Sequence, residues 1–221
     1  MAQPDNRSVL LAGATGLVGR ALLARLMRPG RAVDLLVRRP VDGLPPGARV
    51  HVVDFAGLPD PLPAADDVFI ALGTTIKAAG SRSAFRAVDL DAVVATARSA
   101  RAAGATRLGV VSAHGADRNS RLFYNRVKGE MEEAVCALGF KSVVMARPSL
   151  LLGDRAALGQ PERPGEVWAA RLLGPAIRLV PRAVRPIAAT DVAAALIAAV
   201  EEGRPGARVL PSAAMLGADA G

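Results

Sequence analysis

Residues 8–19 of the 221-residue chain read SVLLAGATGLVG, an apolar run followed by three glycines spaced three apart and by the start of a helical pattern. A dinucleotide-binding turn needs a backbone that bends sharply after a strand, approaches a pyrophosphate without a Cβ in the way, and lets the next helix pack closely. Gly13, Gly16 and Gly19 can meet these needs in that order, and the N–H groups of the helix N-terminus then favour an anion. A tight strand-to-helix turn without a ligand is the alternative.

The next strand candidate, residues 32–37, ends in Arg38-Arg39-Pro40. A site for NAD usually carries Asp or Glu at this point, where the carboxylate binds the ribose 2′-hydroxyl. Arginine side chains instead suit a 2′-phosphate, because the planar guanidinium can hold phosphate oxygens bidentately. The pattern favours NADP(H) over NAD(H). The alternative is that two arginines end a strand in a chain with 28 basic residues, most of them arginine.

Apolar runs alternate with helical periodicity through most of the chain. The predicted strands are residues 8–12, 32–37, 49–53, 68–72, 107–112 and 142–146, and the predicted long helices are residues 17–28, 83–103 and 122–138. Uninterrupted Val, Leu and Ile runs are typical of strands covered on both faces, and the alternation indicates a parallel sheet with right-handed crossovers. We expect an α/β fold, a doubly wound and mostly parallel sheet in a three-layer αβα Rossmann arrangement, as a single domain over residues 1–221.

Composition narrows the classes of partner. The net charge is +8, but the basic residues are scattered and aromatic residues make up only 3% of the chain, so we expect no nucleic-acid partner. No apolar stretch approaches the roughly 20 residues that a membrane span needs, which predicts no integral membrane segment. Residues 1–7 lack the apolar core of a signal peptide, and we expect a cytoplasmic protein.

Cysteine and histidine are scarce. Cys136, the chain's one cysteine, excludes an internal disulfide, and its helical pattern predicts a buried, inert thiol. His51 and His114 with one cysteine predict no metal site. His114, in a loop beside a glycine, is expected to be solvated and without a catalytic role.

Tyr124 and Lys128 stand four residues apart in the third long helix, so their side chains share a face. An ammonium at this spacing favours the phenolate form of tyrosine, which suits the phenol for acid–base work near neutral pH. Tyr124 can then donate a proton to a carbonyl oxygen, with Lys128 as its electrostatic partner and as a ligand for cofactor ribose hydroxyls. Ser112, which ends the fifth predicted strand, can hydrogen-bond the same carbonyl. The alternatives are an ordinary aromatic on an exposed helix and a serine that closes a strand.

The pattern changes after Pro148. Residues 148–186 are rich in Gly, Pro and Arg and predict a small lid over the open side of the nucleotide site, with one helix near residues 166–173. An alternative use of this segment is peripheral membrane contact through an apolar set flanked by arginines. The members of that set are Trp168, Leu172, Leu173, Ile177 and Leu179.

A last helix is predicted over residues 191–202, with Thr190 as its N-cap and Gly203 as its stop. An edge strand is expected over residues 207–210. The tail of Ala and Gly beyond Pro211 is expected to be frayed.

Several motifs, in order along residues 8–200, resemble the atypical short-chain dehydrogenase/reductases, most closely their Tat-interacting-protein-like subgroup of NADPH-binding oxidoreductases. The motifs are the glycine turn, Asp54-Phe55, Leu72-Gly73-Thr74-Thr75, Lys77-Ala78-Ala79-Gly80, Ser112, YNRVKGE at residues 124–130, Arg147-Pro148, Asp154-Arg155, Arg163-Pro164-Gly165-Glu166 and Thr190-Asp191-Val192-Ala193.

The resemblance implies roles for these residues. The pyrophosphate would lie on the glycine turn, the 2′-phosphate on Arg38 and Arg39, the adenine edge at Asp54, the adenosine side at Leu72 and Gly73, and the reacting end at Ser112, Tyr124 and Lys128. The full cofactor-binding set would be Gly13, Thr15, Gly16, Leu17, Val18, Gly19, Arg38, Arg39, Asp54, Phe55, Leu72, Gly73, Thr74, Lys128, Arg147 and Pro148.

Two functions remain open at this stage. The first is an NADPH-dependent oxidoreductase that acts on a small carbonyl or related substrate, and the second is a redox-silent NADPH-binding regulatory or interaction protein. The chain departs from many relatives at Val88-Asp89-Leu90-Asp91, where they carry Asn, and at Ser112-Ala113-His114, where others carry a serine run. The departures bear on the proton relay and not on nucleotide binding. A homodimer or a protein partner is consistent with the resemblance.

Overall fold

The computed structural model describes residues 7–152 and 181–220. Its strands are β1 (Val9–Ala12), β2 (Val33–Val37), β3 (Ala48–Val52), β4 (Asp67–Ile70), β5 (Arg107–Val111), β6 (Ser142–Arg147), β7 (Leu151–Leu152), β8 (Ile187–Ala188) and β9 (Gly206–Pro211). Seven of them form one sheet in the order β3-β2-β1-β4-β5-β6-β9, and every neighbouring pair is parallel.

Helices cover both faces of this sheet. They are α1 (Leu17–Leu26), α2 (Ile76–Ala79), α3 (Arg82–Arg86), α4 (Val93–Ala102), α5 (Phe123–Cys136), α6 (Ala189–Glu201) and α7 (Ser212–Met215). A π-helical turn, Ala87–Ala92, joins α3 to α4, and a 3₁₀ turn, Ala218–Ala220, follows α7. The doubly wound three-layer Rossmann fold expected from the sequence is confirmed.

The strand order reverses between β1 and β4, which are neighbours in the sheet but not in the chain. In doubly wound folds the loops that leave the carboxyl ends of two such strands diverge, and the crevice between them is where ligands bind. The turn after β1 contains the three glycines, and the loop after β4 contains Gly73 and Thr74. The fold therefore brings two of the predicted motifs together at one edge of the sheet.

Two apolar layers hold the helices on the sheet. Alternate residues of the central strands enter each layer, so that β1 supplies Leu11 to one and Leu10 to the other. The first layer contains α1 and α6 residues such as Leu22 and Leu196, and the second contains α4 and α5 residues such as Val93. All five side chains are fully buried. Each such burial stabilises the fold by about 1.5–3 kcal/mol, which explains why uninterrupted apolar runs predicted the strands.

Edge strand β3 is attached to β2 by a polar cluster around Asp34. Arg49 Nε and Nη2 donate to the Asp34 carboxylate at 2.9 and 2.5 Å, and His51 Nε2 lies 2.7 Å from Asp34 Oδ1. Burial opposes ionisation of Asp34, but the hydrogen bonds from Arg49 and His51 outweigh it and lower the pKa of the carboxyl group. The cluster fixes β3 beside β2 at this edge of the sheet.

The helix predicted over residues 83–103 is interrupted. It begins at Arg82, where Ser81 Oγ caps the first turn by accepting the Ala84 N–H at 3.0 Å, and it passes through the π-helical turn before α4. The predicted helix α6 begins at Ala189 and not after Thr190. Thr190 as N-cap is therefore wrong, because Thr190 lies inside the first turn and Ala188 precedes the helix.

The tail beyond Pro211 was expected to be frayed, which is wrong for the described residues. Residues 212–215 form α7, in which Ser212 and Met215 are buried. Ser212 Oγ accepts the Ser149 N–H at 3.2 Å, so the tail also holds the start of the segment that follows β6. The predicted edge strand over residues 207–210 is confirmed as β9.

Cys136 is exposed, so the expectation of a buried thiol is wrong. The residue ends α5, where the helix turns away from the sheet. Its Sγ lies 3.7 Å from Met145 Sδ. Partial burial, and to a smaller extent the negative charge of Glu132, raise the pKa of the thiol. A raised pKa lowers the fraction of thiolate, which is the reactive form of cysteine.

Most of the predicted lid, residues 153–180, lies outside the described residues, as do the helix near residues 166–173 and the apolar set at residues 168–179 proposed for membrane contact. The two ends of the segment pair as a small parallel sheet of β7 and β8. Within residues 7–152 and 181–220, the helices are too short or too polar to cross a membrane. The same residues contain no group of three or more His, Cys, Asp or Glu that could hold a metal ion.

Candidate functional site

The glycine turn is built around two close contacts between backbone segments. Gly13 has a φ of 90°, and a Cβ on it would lie 2.5 Å from the carbonyl carbon of Ala71 after β4. A Cβ on Gly19 would lie 1.9 Å from the Gly13 carbonyl oxygen. The fold therefore requires Gly13 for the turn and Gly19 for the packing of α1 against it.

Gly16 differs from the other two glycines. Its φ of −79° suits any residue, and the nearest atom to an added Cβ would be the Gly13 carbonyl oxygen at 3.5 Å, an ordinary contact. Gly16 is the N-cap of α1 and has no side chain with which to cap the first N–H groups of that helix. The protein itself thus leaves the space in front of this helix N-terminus open, as the approach of an anion requires.

A cleft of about 560 Å³ opens above this turn. It extends from the glycine turn across the ends of β2 and β4. Four charged residues line it: Arg20, Arg38, Arg39 and Asp42. The other residues that line it are Gly13, Ala14, Thr15, Gly16, Leu36, Val37, Pro40, Val41, Phe55, Ala71, Leu72, Gly73, Val88 and Ala92.

Arg20 was not predicted as a site residue. It directly follows the third glycine, and its N–H donates to the Gly16 carbonyl oxygen at 2.9 Å in the first turn of α1. Its position one helical turn beyond Gly16 was the signal available in the sequence. Three guanidinium groups therefore line the cleft, which makes it suitable for a phosphate.

A second cavity of about 140 Å³ adjoins the cleft, and Gly16, Ala71, Leu72 and Gly73 line both. It contains the three residues predicted to do chemistry, although they come from β5 and α5. The remaining residues that line it are Leu17, Val18, Thr74, Asp89, Val111, Ser112, Tyr124, Lys128 and Leu151. The structure thus joins the predicted phosphate turn and the predicted reacting end in one continuous depression.

Tyr124 is positioned by aromatic packing. Its ring lies against that of Phe85 with a centroid distance of 5.4 Å and an interplanar angle of 40°. Phe85 is fully buried and belongs to α3, so this contact fixes the phenol against a second element. The half-buried phenol enters the cavity from the first turn of α5.

Ser112 carries an unsatisfied hydroxyl group. Its N–H donates to the Ala146 carbonyl oxygen at 2.7 Å, which extends the pairing of β5 with β6. Its Oγ is buried and has no hydrogen-bond partner among the described residues. A buried hydroxyl without a partner costs about 1–3 kcal/mol, and in this cavity a ligand oxygen can supply the missing bond.

Lys128 is bound to a carboxylate that the sequence analysis noted only as a departure from relatives. Its Nζ lies 2.7 Å from Asp89 Oδ1, and only 4% and 1% of the two side chains are exposed. Asp89 Oδ2 accepts the Thr74 N–H at 2.8 Å. A separation of 39 residues hid this pair from any local pattern.

Four predicted cofactor residues lie outside the residues that line the two cavities: Gly19, whose role in packing α1 is described above, and the three residues Asp54, Arg147 and Pro148. Asp54 Oδ1 accepts the Ala56 N–H at 2.9 Å in its own turn, and the Pro148 carbonyl oxygen accepts the His114 N–H at 2.8 Å. Arg147 donates to both carboxylate oxygens of Glu132 at 2.9 and 2.5 Å, and these hydrogen bonds raise the pKa of Arg147. In this structure the three residues hold loops and α5 in place.

Comparisons with known proteins agree with this geometry. A family model described as NAD(P)H-binding matches residues 13–145. Protein HTATIP2 of Rattus norvegicus is 38% identical over 175 residues, which cover 76% of this chain and 70% of that protein. Protein FMP52, mitochondrial, of Eremothecium gossypii is 38% identical over 154 residues, covering 67% of this chain and 68% of that protein.

The solved structure of MoeE5 in complex with UDP-glucose and NAD superposes with a TM-score of 0.70 at 22% identity, covering 92% of this chain and 75% of that one. This likeness shows the shared fold. One expectation is overturned by the comparisons: a cytoplasmic location is contradicted, because FMP52 relatives are named mitochondrial.

Proposed function

The chain belongs to the NAD(P)H-binding family, in the group resembling atypical short-chain dehydrogenase/reductases that includes HTATIP2 and FMP52, and from that premise we propose that it is an NADPH-dependent oxidoreductase acting on a small carbonyl or related substrate. The observation that carries the proposal is the buried, unpartnered Ser112 Oγ in one cavity with Tyr124 and Lys128. A buried hydroxyl without a hydrogen-bond partner does not stabilise a fold, so a ligand that bonds to it would explain its place in this cavity.

The residues present fit the cofactor. The open space at Gly16 and the free N–H groups of α1 support pyrophosphate binding at the glycine turn. Arg38, Arg39 and Arg20 all line the cleft, and their guanidinium groups support binding of a 2′-phosphate. These arginines are the reason to favour NADPH over NADH. Phe55, Leu72 and Gly73 line the wall of the cleft where the adenosine would lie.

When bound, the reduced nicotinamide supplies the hydride for a carbonyl reduction. Tyr124 Oη donates a proton to the substrate oxygen, and Ser112 Oγ donates a hydrogen bond to the same oxygen. Lys128 Nζ provides positive charge near the phenol and a hydrogen bond to the ribose hydroxyls. The cavity of about 140 Å³ around these groups favours a small substrate.

The test is a comparison of the wild type with Tyr124→Phe across a panel of small aldehydes and ketones, with NADPH oxidation as the readout. Phenylalanine keeps the ring contact with Phe85, so folding and NADPH affinity should be unchanged. Loss of a general acid should lower the rate by about 10²–10⁴-fold. Equal rates for the two proteins on every substrate that the wild type reduces would remove Tyr124 from the mechanism.

Ser112→Ala is the companion variant. Because Ser112 Oγ is buried and has no partner among the described residues, its removal should raise the stability of the protein without ligand, by up to about 1–3 kcal/mol. A carbonyl that loses one hydrogen bond should be reduced more slowly, by about tenfold or more. An unchanged rate would show that this hydroxyl does not contact the substrate.

The second candidate function is a redox-silent NADPH-binding protein that regulates or contacts a partner. The observation that favours it is the Asp89 carboxylate at 2.7 Å from Lys128 Nζ, which offsets the charge that would otherwise support the phenolate. Isothermal titration with NADPH and the same substrate panel separate the two functions. Tight binding without turnover on any substrate supports the second.

A further inference from the structure

Phe123 connects the cavity that Tyr124 lines to two arginines. Phe123 directly precedes Tyr124 in the first turn of α5, and both rings pack on the buried Phe85, at centroid distances of 5.9 and 5.4 Å respectively. The Arg82 guanidinium lies 5.1 Å from the centroid of the Phe123 ring, and the Arg126 guanidinium lies 5.8 Å from it. Two cations therefore lie beside a ring whose neighbour in the chain lines the cavity.

Neither arginine has an acidic partner among the described residues. Helix α3, which begins at Arg82, contains no Asp or Glu. Arg126 Nη1 donates to the Ser120 carbonyl oxygen at 3.0 Å, and this acceptor is neutral. The three glutamates of α5 are each bound to another arginine: Glu130 to Arg86, Glu132 to Arg147 and Glu133 to Arg118. The charges of Arg82 and Arg126 are thus balanced by no carboxylate of α3 or α5.

Two further cations lie in the adjoining segments. Lys77 is exposed on α2, which packs beside α3 and follows Thr74, a residue that lines the cavity. Arg121 is exposed beside Ser120, the residue to which Arg126 donates. Both also lack an acidic partner among the described residues. We call Lys77, Arg82, Arg121 and Arg126 the basic rim, and its guanidinium groups match the oxygens of a carboxylate or a phosphate.

We propose that the substrate carries an anionic group, a carboxylate or a phosphate, and that Arg82 and Arg126 bind this group while the carbonyl lies at Tyr124. The inference rests on the proposed function and narrows its substrate class to carbonyl compounds with a negative charge at a set distance from the carbonyl. Cation–π contacts with Phe123 hold the two guanidinium groups in place. Less side-chain freedom is then lost when they bind the anion.

The test compares a series of ω-oxo carboxylic acids of increasing length with the neutral aldehydes of the same length. NADPH oxidation gives kcat/KM for each, and the measured quantity is the ratio of kcat/KM for the acid to that for the aldehyde. In the wild type this ratio should rise to a maximum at one length, because the anion must reach the guanidinium groups while the carbonyl is at Tyr124. Attraction by the net charge of the whole protein does not select a length. Glyceraldehyde 3-phosphate, compared with glyceraldehyde, gives the same ratio for a phosphate.

Arg82→Gln and Arg126→Gln should each lower the maximum of the ratio by about tenfold or more, as expected for loss of a hydrogen bond between charged groups, and leave the neutral aldehydes unaffected. Arg82→Lys keeps the charge and should retain more of the ratio than Arg82→Gln. The matched control is Arg98→Gln on α4, which removes an exposed arginine that has no acidic partner among the described residues and lines neither cavity. It should leave the ratio unchanged. A ratio that does not depend on length, or that falls equally in Arg98→Gln, would overturn the proposal.

Binding tests the same inference without turnover. Isothermal titration of the protein with NADP+ bound compares ω-hydroxy carboxylic acids with the alcohols of the same length. Tighter binding of the acid that is lost in Arg82→Gln supports the proposal, and equal affinities for acid and alcohol in the wild type refute it. Should Arg126→Gln fail to fold in thermal unfolding, Arg82→Gln carries both experiments alone. A wild type that prefers the acids in titration but reduces no carbonyl would refute the proposed enzyme and leave the anion site standing.

Discussion

The glycines of the turn after β1 should separate into two classes when each is changed to alanine. A Cβ on Gly19 would lie 1.9 Å from the Gly13 carbonyl oxygen and 2.7 Å from its carbonyl carbon, whereas a Cβ on Gly16 would have its nearest contact at 3.5 Å. Gly16 lines both cavities, and Gly19 lines neither. Gly19→Ala should therefore damage the fold, and Gly16→Ala should damage binding alone.

The structure sets the size of both effects. For Gly19→Ala, helix propensity gains about 0.5–1 kcal/mol, but overpacking costs about 1–3 kcal/mol or more, and here the obstacle is backbone that cannot rotate away. We expect a net loss of about 2 kcal/mol, roughly 4–8 °C in Tm for a chain of this size. For Gly16→Ala, the weaker N-cap lowers the free energy of unfolding by up to about 1 kcal/mol. The reduced conformational freedom of the unfolded chain raises it by about the same amount. The Tm should therefore stay nearly constant.

Gly16→Ala should weaken NADPH binding although it leaves the Tm nearly unchanged. A methyl group at the open helix N-terminus keeps a pyrophosphate from at least one N–H, and a hydrogen bond to a charged group is worth about 1.5–3 kcal/mol. The Kd for NADPH should rise roughly 10- to 150-fold. Isothermal titration measures the Kd, and thermal unfolding without nucleotide measures the Tm.

Gly57→Ala is the matched control. Its Cβ would meet open space, and Gly57 lines neither cavity, so neither Tm nor Kd should change. The reasoning is refuted if Gly16→Ala lowers Tm as much as Gly19→Ala does while NADPH still binds with wild-type affinity. In that case Gly16 would serve the turn itself, and the open space before α1 would have no ligand.

The remaining predictions concern charges. Replacing Arg38 and Arg39 together by Ala should weaken NADPH binding by roughly 10-fold or more and leave NADH binding unchanged, and an equal loss for both nucleotides in titrations would show that these arginines do not read the 2′-phosphate. Asp34→Asn should lower the free energy of unfolding above pH 3.8, the ordinary carboxyl pKa, because the lowered pKa of Asp34 in the folded protein contributes stability there. In urea unfolding, the difference in free energy between this variant and the wild type should vanish as the pH falls through the lowered pKa. Asp89→Asn and Lys128→Met should each lower the free energy of unfolding by about 3–5 kcal/mol, because each leaves one buried charge unpaired. The double variant should lose far less than the sum of these two losses. Additive losses in denaturant unfolding would contradict the pairing.

The central strands were predictable because burial on both faces leaves a local trace in the sequence. The run at residues 33–37 is buried at every position, and the sequence placed that strand within one residue of its observed bounds. Tyr124 with Lys128 was predictable for the same reason, since helical spacing alone puts both on one face. Ser112 followed from its place at the end of a strand. Each of these predictions uses only the period of one element.

What the sequence did not predict depends on contacts between elements distant in the chain. Asp89 meets Lys128 only after α5 has packed beside the π-helical turn, and Met215 is buried only because α6 offers an apolar face to the tail. Thr190 carries a good capping side chain, yet the helix starts two residues earlier, directly after the short strand β8 that pairs with β7. Tertiary contacts decided each case, and local preference did not.

The distribution of unfavourable groups itself indicates where this chain binds a ligand. A buried ion pair is a poor stabiliser, because desolvation of both charges consumes most of their attraction, and a buried hydroxyl without a partner is a net loss. Elsewhere among the described residues, the pair of Arg49 with Asp34 connects two strands and keeps its arginine exposed to water. Asp67, at the start of β4, is buried, but its Arg107 partner keeps 18% of its side chain exposed. The pair of Lys128 and Asp89 and the hydroxyl of Ser112 are buried together in one cavity that adjoins the cleft at the glycine turn. Apolar residues there would make a more stable protein, so the polar groups of this cavity are explained by what they bind and not by what they hold together.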